Sequence, residues 1–361
     1  MKVAILGYDH PVDDKRVFRT VKAISKYHDV VYIYRQDAGK KEIEEKLKRE
    51  YPHVEFVPVV LKERSPEGIY AFDKENVEAV IESDADVWYL HTAPDTRPLQ
   101  LFTEGKRRGK RLIYDSHELM PWNSFSRFTR GNRAVDMMRR VVLWSVYKEQ
   151  IEKSDVVIQV SFSIKRYVER NLKVEEGKQI VIPNLAERVE CLDIGSRRRE
   201  RKVVYVGSTV RGISRKLIEL LYEKYGYRFE YISSREEDRL KDLPYVRWQR
   251  PLGYEEMIEW LSRAEWSLMI FEHWNNLSYI YSLPHKYFDS LYAGVPVIVG
   301  KEFVEMAAWT KRYGVGIIIE GEDINLSGVD RESLQRNIIN NREKFLWGER
   351  WEQRLNGIVE G

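Results

Sequence analysis

The sequence predicts an α/β protein built from two Rossmann-like, doubly wound halves joined near residues 184–202. Three observations carry this reading. Short apolar runs alternate with helical patterns along the chain. Most of those runs are unbroken Val/Ile/Tyr stretches rather than alternations, as in strands of a parallel sheet buried on both faces. The series restarts after Ser196–Lys202, a basic, solvated stretch. The length agrees: 361 residues at roughly 150 per domain make about two domains. A hydrophobic content of 43% fills two cores and excludes a disordered chain or a coiled coil.

Taken in order, Val3–Leu6 reads as the first strand. Residues 14–27 follow as a helix, with Val17, Val21 and Ile24 at helical spacing. Val30–Tyr34, Val54–Val60, Val87–Leu90, Leu112–Tyr114 and Val156–Val160 continue the strands of the first half. In the second half Val203–Val206 is a strand ending at Gly207, and Ile213–Lys224 is a helix. Phe229–Ile232, Val246–Trp248, Leu268–Phe271, Pro296–Val299 and Gly316–Ile319 complete the strand list. Met257, Trp260, Leu261 and Ala264 sit at helical spacing among them. In such folds ligands bind beyond the carboxyl ends of the strands, so the residues just after each strand matter most.

Composition narrows the function. Lys and Arg number 60 against 57 Asp and Glu, a net charge of +3, too balanced for a dedicated nucleic-acid binder. A single cysteine, Cys191, excludes an intrachain disulfide and any multi-cysteine metal site. The N-terminal segment does not fit a signal peptide, and no run of 18 apolar residues occurs. The expectation is a soluble cytoplasmic protein.

Two segments carry candidate chemistry. Gly207-Ser208-Thr209-Val210-Arg211-Gly212 follows a strand and precedes a helix. The glycine permits close backbone approach, the helix N-terminus favours phosphate, and Arg211 adds a permanent cation. A plain strand-to-helix turn with a surface arginine is the alternative. In Tyr279–Gly300, Pro284 fits the first turn of a helix, Lys286 and Asp289 share one face, and Ala293-Gly294-Val295-Pro296 leads into a buried strand. A lysine near a helix N-terminus is electrostatically misplaced unless an anion binds there, and Asp289 can receive sugar hydroxyls. An exposed Lys–Asp pair is the alternative. Asp84-Ala85-Asp86 precedes its strand and so lies at the amino end, away from the ligand edge. No histidine pair has metal-ligand spacing, and no GxGxxG fingerprint follows the first strand.

Tyr279–Gly300 resembles the donor-binding segment of the group 1 (family 4) retaining glycosyltransferases of GT-B fold. Ile180–Asn184 resembles that family's crossover strand, and Val204–Gly207 with Arg211-Gly212 its phosphate loop. Asp14–Val17 resembles its first helix, Tyr114-Asp115-Ser116-His117-Glu118 its Asp-x-His-Glu/Asp strand end, and Phe345-Leu346-Trp347 its terminal Phe-x-Trp. Asp289 fills the second position of the family's Glu-x7-Glu and Tyr281 the first, where no carboxylate remains. Ser208 stands where arginine is common, and Arg211 replaces a lysine.

The resemblance implies a GT-B molecule with two Rossmann-like domains facing across a cleft. Residues 1–185 would form an acceptor-side domain and 186–342 a donor domain, with residues 343–361, including a helix Glu343–Ile358, crossing back onto the first. The reaction implied is retaining transfer of a sugar from a UDP-, GDP- or ADP-sugar to a hydroxyl of a carbohydrate or lipid-linked acceptor. No metal and no other cofactor is expected. Gly207, Arg211 and Lys286 would hold the diphosphate, and Asp289, Ser208 and Tyr281 the ribose or sugar. His117 would be catalytic, contacting the transferred sugar, with a histidine satisfied at a strand end as the structural alternative. His10, His91 and Glu118 are acceptor-side candidates, while His285 reads as surface. The segment 122–148 interleaves aromatics and methionines with arginines. It fits either an ordinary helix or a surface for anionic lipid, placing the protein on the inner face of the membrane; Gly105–Lys110 is a second basic cluster. The competing functions are a nucleotide-sugar 2-epimerase and a binding protein without turnover.

Overall fold

The structure, a computed structural model, describes residues 1–60, 74–92, 99–119, 122, 133–175, 177–190, 199–208, 210, 212–270 and 276–361. The chain forms two compact units. The first comprises Met1–Pro183, Asn276–Ser278 and Glu349–Gly361, and the second Asn184–Asn275 and Tyr279–Gly348.

The strands of the first unit are β1 (Lys2–Pro11), β2 (Asp29–Arg35), β3 (Val54–Val59), β4 (Val87–Thr92), β5 (Arg111–Ser116), β6 (Val156–Gln159) and β7 (Gln179–Val181). They pair in the order β3-β2-β1-β4-β5-β6-β7, all parallel. Its helices are α1 (Lys15–Ile24), α2 (Lys41–Glu50), α3 (Lys74–Glu82), α4 (Leu99–Arg107), α5 (Arg133–Lys153) and α6 (Phe162–Leu172). The second unit holds β8 (Glu200–Val206), β9 (Arg228–Ile232), β10 (Val246–Gln249), β11 (Ala264–Met269), β12 (Val297–Gly300) and β13 (Gly316–Ile319). Their order is β10-β9-β8-β11-β12-β13, again all parallel. Around them run α7 (Arg215–Tyr225), α8 (Tyr254–Ser262), α10 (His285–Tyr292), α11 (Val304–Tyr313) and α12 (Arg331–Asn341), while α9 (Leu277–Tyr281) has its first two residues in the first unit and the rest in the second. In both sheets the strand order reverses beside the first strand, which creates the switch point where doubly wound folds bind ligands.

Local chemistry explains where the elements differ from the sequence pattern. β1 runs on from Leu6 to Pro11 through a register shift, and Tyr8 takes a left-handed φ of 57° there. Asp14 is the cap of α1 rather than its first residue: its carboxylate accepts the Arg16 and Val17 amides, satisfying donors that the first helical turn leaves open. Ser214 caps α7 in the same way, so that helix starts after Ile213. Pro284 likewise lies one residue before α10. β11 begins at Ala264, which the apolar spacing assigns to the preceding helix. Glu265 and Ser267 interrupt the apolar run, yet both are accommodated: Ser267 is buried and bonded to Ser290 Oγ at 2.8 Å, and Glu265 pairs with Arg331. Phe271, Cys191 and Ser196 lie outside the described residues.

The last helix, α13, spans Glu349–Glu360; Arg342–Lys344 form only a 3-10 turn, and Leu346 bridges to Ala186 within the second unit. α13 packs on α1 and its surroundings in the first unit. Leu355, Ile358 and Val359 are buried there, Lys26 pairs with Glu352 at 2.6 Å, and His28 Nε2 lies 2.7 Å from Asn356 Oδ1.

Candidate active site

In the second unit the site residues gather at the carboxyl end of β8, the central strand. Lys286, in the first turn of α10, donates from Nζ to the Tyr205 hydroxyl at 3.0 Å. Its ammonium also lies 4.3 Å from the centre of the Tyr205 ring, a cation–π contact. Burial lowers the Lys286 ammonium to about 7. Burial raises the Tyr205 phenol, so this hydroxyl stays neutral. Gly207 is needed here for a reason different from ligand approach. A side chain at 207 would place its Cβ 2.7 Å from the Tyr205 hydroxyl oxygen and 2.8 Å from the ring. Gly207, Tyr205 and Lys286 are thus one packed group. Arg211 and Thr209 lie outside the described residues, while Gly212 beside them adopts a φ of 87°, which glycine takes without strain.

Asp289 and Lys286 do not form an exposed pair. Asp289 is buried and its Oδ1 accepts the Tyr254 hydroxyl at 2.9 Å. Tyr254 also accepts the Glu187 amide at 2.9 Å, and burial with the Asp289 charge beside it raises its phenol. Ser208 is exposed, and its carbonyl accepts the Ser234 amide at 3.4 Å. Tyr281 ends α9, half-buried, as is His285.

In the first unit the neighbouring strands β1, β4 and β5 deliver His10, His91 and His117 to one cluster. His91 and Asp115 are register partners on β4 and β5. His91 Nδ1 lies 2.8 Å from His117 Nε2 and 3.5 Å from Asp115 Oδ2. The His10 and His117 ring centres are 4.9 Å apart, and His10 Nδ1 meets Asp14 Oδ2 at 3.0 Å. Arg16, buried on α1, grips Asp115 Oδ1 from Nη2 at 2.6 Å and from Nε at 3.1 Å. The Tyr89 hydroxyl donates to Asp115 Oδ2 at 2.8 Å. Burial pushes the Asp115 carboxyl up, but Arg16, with His91 and His117, holds it well below the usual range. Burial lowers His91 to about 3 against the opposing pull of Asp115, and lowers His117 in the same way. Both imidazoles are therefore neutral near pH 7. Glu118 follows His117, half-buried, and its carbonyl accepts the Ser116 hydroxyl at 2.9 Å.

His91, Asp115 and His117 each bring a potential ligand atom within 4.8 Å of the others. The geometry suits a proton better than a cation. Two imidazoles on one tetrahedral zinc keep their nitrogens about 3.3 Å apart, longer than the 2.8 Å found here. Asp115 is also already neutralised by Arg16.

Sequence carries no local signal for Tyr205 or Tyr254, which look like ordinary core tyrosines. Arg16 does leave one: it is a charged residue at the start of a helix whose Val17, Val21 and Ile24 are apolar and buried, and it is buried with them, as are Arg19 and Thr20. The cluster Gly105–Lys110 is an array of surface ion pairs, with Lys106 on Asp155, Arg107 and Arg108 on Glu104, and Lys110 on Asp84. Of the segment 122–148, residues 123–132 lie outside the described residues. In α5, Leu143 and Tyr147 are core, while Met137, Met138 and Val141 are exposed. Among the described residues no helix is long and apolar enough to cross a membrane.

Comparison with known proteins gives these sites their setting. The two Rossmann-like domains, with ligand-edge residues on both central strands, have the fold of the GT-B glycosyltransferases. Residues 15–187 of the chain match the model of Glycosyltransferase Family 4. A glycosyltransferase from Rickettsia africae ESF-5 has a similar structure at 12% identity and a TM-score of 0.58, covering 99% of this chain and 95% of its own. The structure of trehalose-6-phosphate from Escherichia coli bound with UDP-2-fluoro glucose is similar at 9% identity and a TM-score of 0.64, covering 100% of this chain and 97% of its own. A putative UDP-N-acetylglucosamine 2-epimerase from Listeria monocytogenes is similar at 11% identity and a TM-score of 0.50, covering 96% and 89%. No curated protein matches the chain in sequence.

Proposed function

We propose that the protein transfers a sugar, with retention of anomeric configuration and without a metal, from a nucleoside-diphosphate sugar to a hydroxyl of a carbohydrate or lipid-linked acceptor. The observation that carries this reading is Lys286. An ammonium lowered to about 7 by burial, placed in the first turn of α10 and beside the carboxyl end of β8, suits an anion that restores its charge. Departure of the diphosphate is where negative charge develops, and preorganised cations there lower the barrier. One charge pair at 4 Å is worth about 4 kcal/mol at an effective dielectric of 20. Lys286 and Arg211 together would do the work that a divalent ion does in other transferases. In this reading Asp289, its carboxylate oriented by Tyr254, receives ribose hydroxyls, with Ser208 and Tyr281 nearby in sequence to the same elements. His117 contacts the transferred sugar, and His10, His91 and Glu118 stand on the acceptor side.

The test is release of nucleoside diphosphate from UDP-, GDP- and ADP-sugars with and without acceptor hydroxyls, with the product anomer read by NMR. Acceptor-dependent release, retained configuration and a rate indifferent to EDTA are expected. Lys286→Ala weakens diphosphate binding about tenfold or more, the loss of a charge-assisted hydrogen bond. Isomerisation of the donor without an acceptor, or an inverted product, would contradict the reading.

A further inference from the structure

We propose that Asp115 and His91 are positioning residues that fix His117 in the tautomer protonated on Nδ1, so that His117 meets its ligand as a hydrogen-bond donor and not as a base. The argument starts from the 2.8 Å between His91 Nδ1 and His117 Nε2. At that distance one nitrogen must carry the proton and the other must offer its lone pair. Three features put the proton on His91. Asp115 Oδ2, an acceptor with no proton of its own, lies 3.5 Å from the same Nδ1. Arg16 and Tyr89 hold the Asp115 carboxylate in that orientation, which keeps it ionised and aimed. His91 is wholly buried, and its Nε2 has no hydrogen-bond partner among the described residues. A proton on Nε2 would be an orphaned buried N–H, rarer and costlier than an unused acceptor lone pair.

With the proton on His91 Nδ1, His117 Nε2 accepts. A neutral His117 then has a single place for its own proton, Nδ1. That nitrogen makes no hydrogen bond to a described residue, which leaves its N–H for a ligand. The chain Arg16–Asp115–His91–His117 therefore runs from a permanent cation in the core of the first unit to one donor at its ligand edge. The chemical class selected is an oxygen acceptor, such as a sugar hydroxyl or ring oxygen. This inference rests on the glycosyltransferase reading for the identity of the ligand, but its first test does not.

The experiment is a long-range proton–nitrogen correlation spectrum of the full chain with nitrogen-15 histidine. His117 is assigned as the set of signals missing in His117→Asn. A protonated-type shift at His117 Nδ1 and an unprotonated-type shift at Nε2 are expected; the reverse overturns the proposal without need of any substrate. His91→Leu should return His117 to the Nε2-protonated form. His91→Asn, whose amide can donate from near the position of Nδ1, should keep the Nδ1 form. In the transferase assay His91→Leu should lower kcat about tenfold with diphosphate affinity unchanged, and His91→Asn should restore part of that loss. A His117 spectrum unaltered by His91→Leu would overturn the relay. Wild-type protein that binds no nucleotide and transfers no sugar would instead overturn the functional reading, whatever the spectrum gives.

Discussion

Lys286 makes diphosphate binding depend on pH, and the sign follows from its surroundings. Its ammonium sits at about 7 in the folded protein against the ordinary 10.5. Folding therefore releases a proton between those values, and this group's contribution to stability grows as pH rises through that window. Binding of a diphosphate works in the opposite direction, because the anion favours the charged amine. Nucleoside-diphosphate affinity should fall as pH rises above about 7, and calorimetry in buffers of different ionisation enthalpy should record proton uptake on binding. Lys286→Met should remove both effects. Affinity that stays level from about pH 6 to 9 would contradict a diphosphate role for this amine. The lysine itself is legible in the sequence, bracketed by Pro284 and the Ala293-Gly294 turn. Its partner Tyr205 is not, because nothing in Val-Val-Tyr-Val distinguishes a ring that covers Gly207 from any other strand tyrosine. The three histidines are legible singly as residues after strands. Their meeting is set by the adjacency of β1, β4 and β5, which no local pattern encodes.

At the level of elements, two glycines should respond in opposite ways to alanine. Gly316, opening β13, has the backbone carbonyl of Val297 2.1 Å from where a Cβ would stand. Neither strand can yield without breaking the ladder between them, so Gly316→Ala should destabilise by about 1–3 kcal/mol, the range for overpacking. Gly357 lies inside α13 with nothing within 4 Å of a built Cβ. Gly357→Ala should stabilise by about 0.5–1 kcal/mol through helix propensity alone. Denaturant unfolding of both variants checks the pair, and a destabilised Gly357→Ala would mean that α13 is not helical at that point. Most elements were readable because buried parallel strands are unbroken apolar runs. The start of β11 is hidden in the sequence because Glu265 and Ser267 satisfy their polar groups through Arg331 and Ser290, partners distant in sequence. The caps Asp14 and Ser214 move helix starts by one or two residues for a similar reason: a capping side chain resembles a first-turn residue until its bond is seen.

Across the whole molecule, the repetition of one strand order in two sheets was foreshadowed by the restart of the strand–helix series after the basic stretch. The return of the chain to its first unit follows from the family resemblance alone, since no feature of the α13 sequence names its docking partner. Leu355, buried at 1% exposure, tests that return. Leu355→Ala should cost about 2–5 kcal/mol and speed amide hydrogen exchange in α1, β1 and β2. Exchange unchanged in those elements would place the stabilising contacts of α13 elsewhere. The same topology has a consequence during synthesis. A ribosome must translate the entire second unit before residues 349–360 emerge, so the nascent first unit waits with the apolar seat of α13 uncovered.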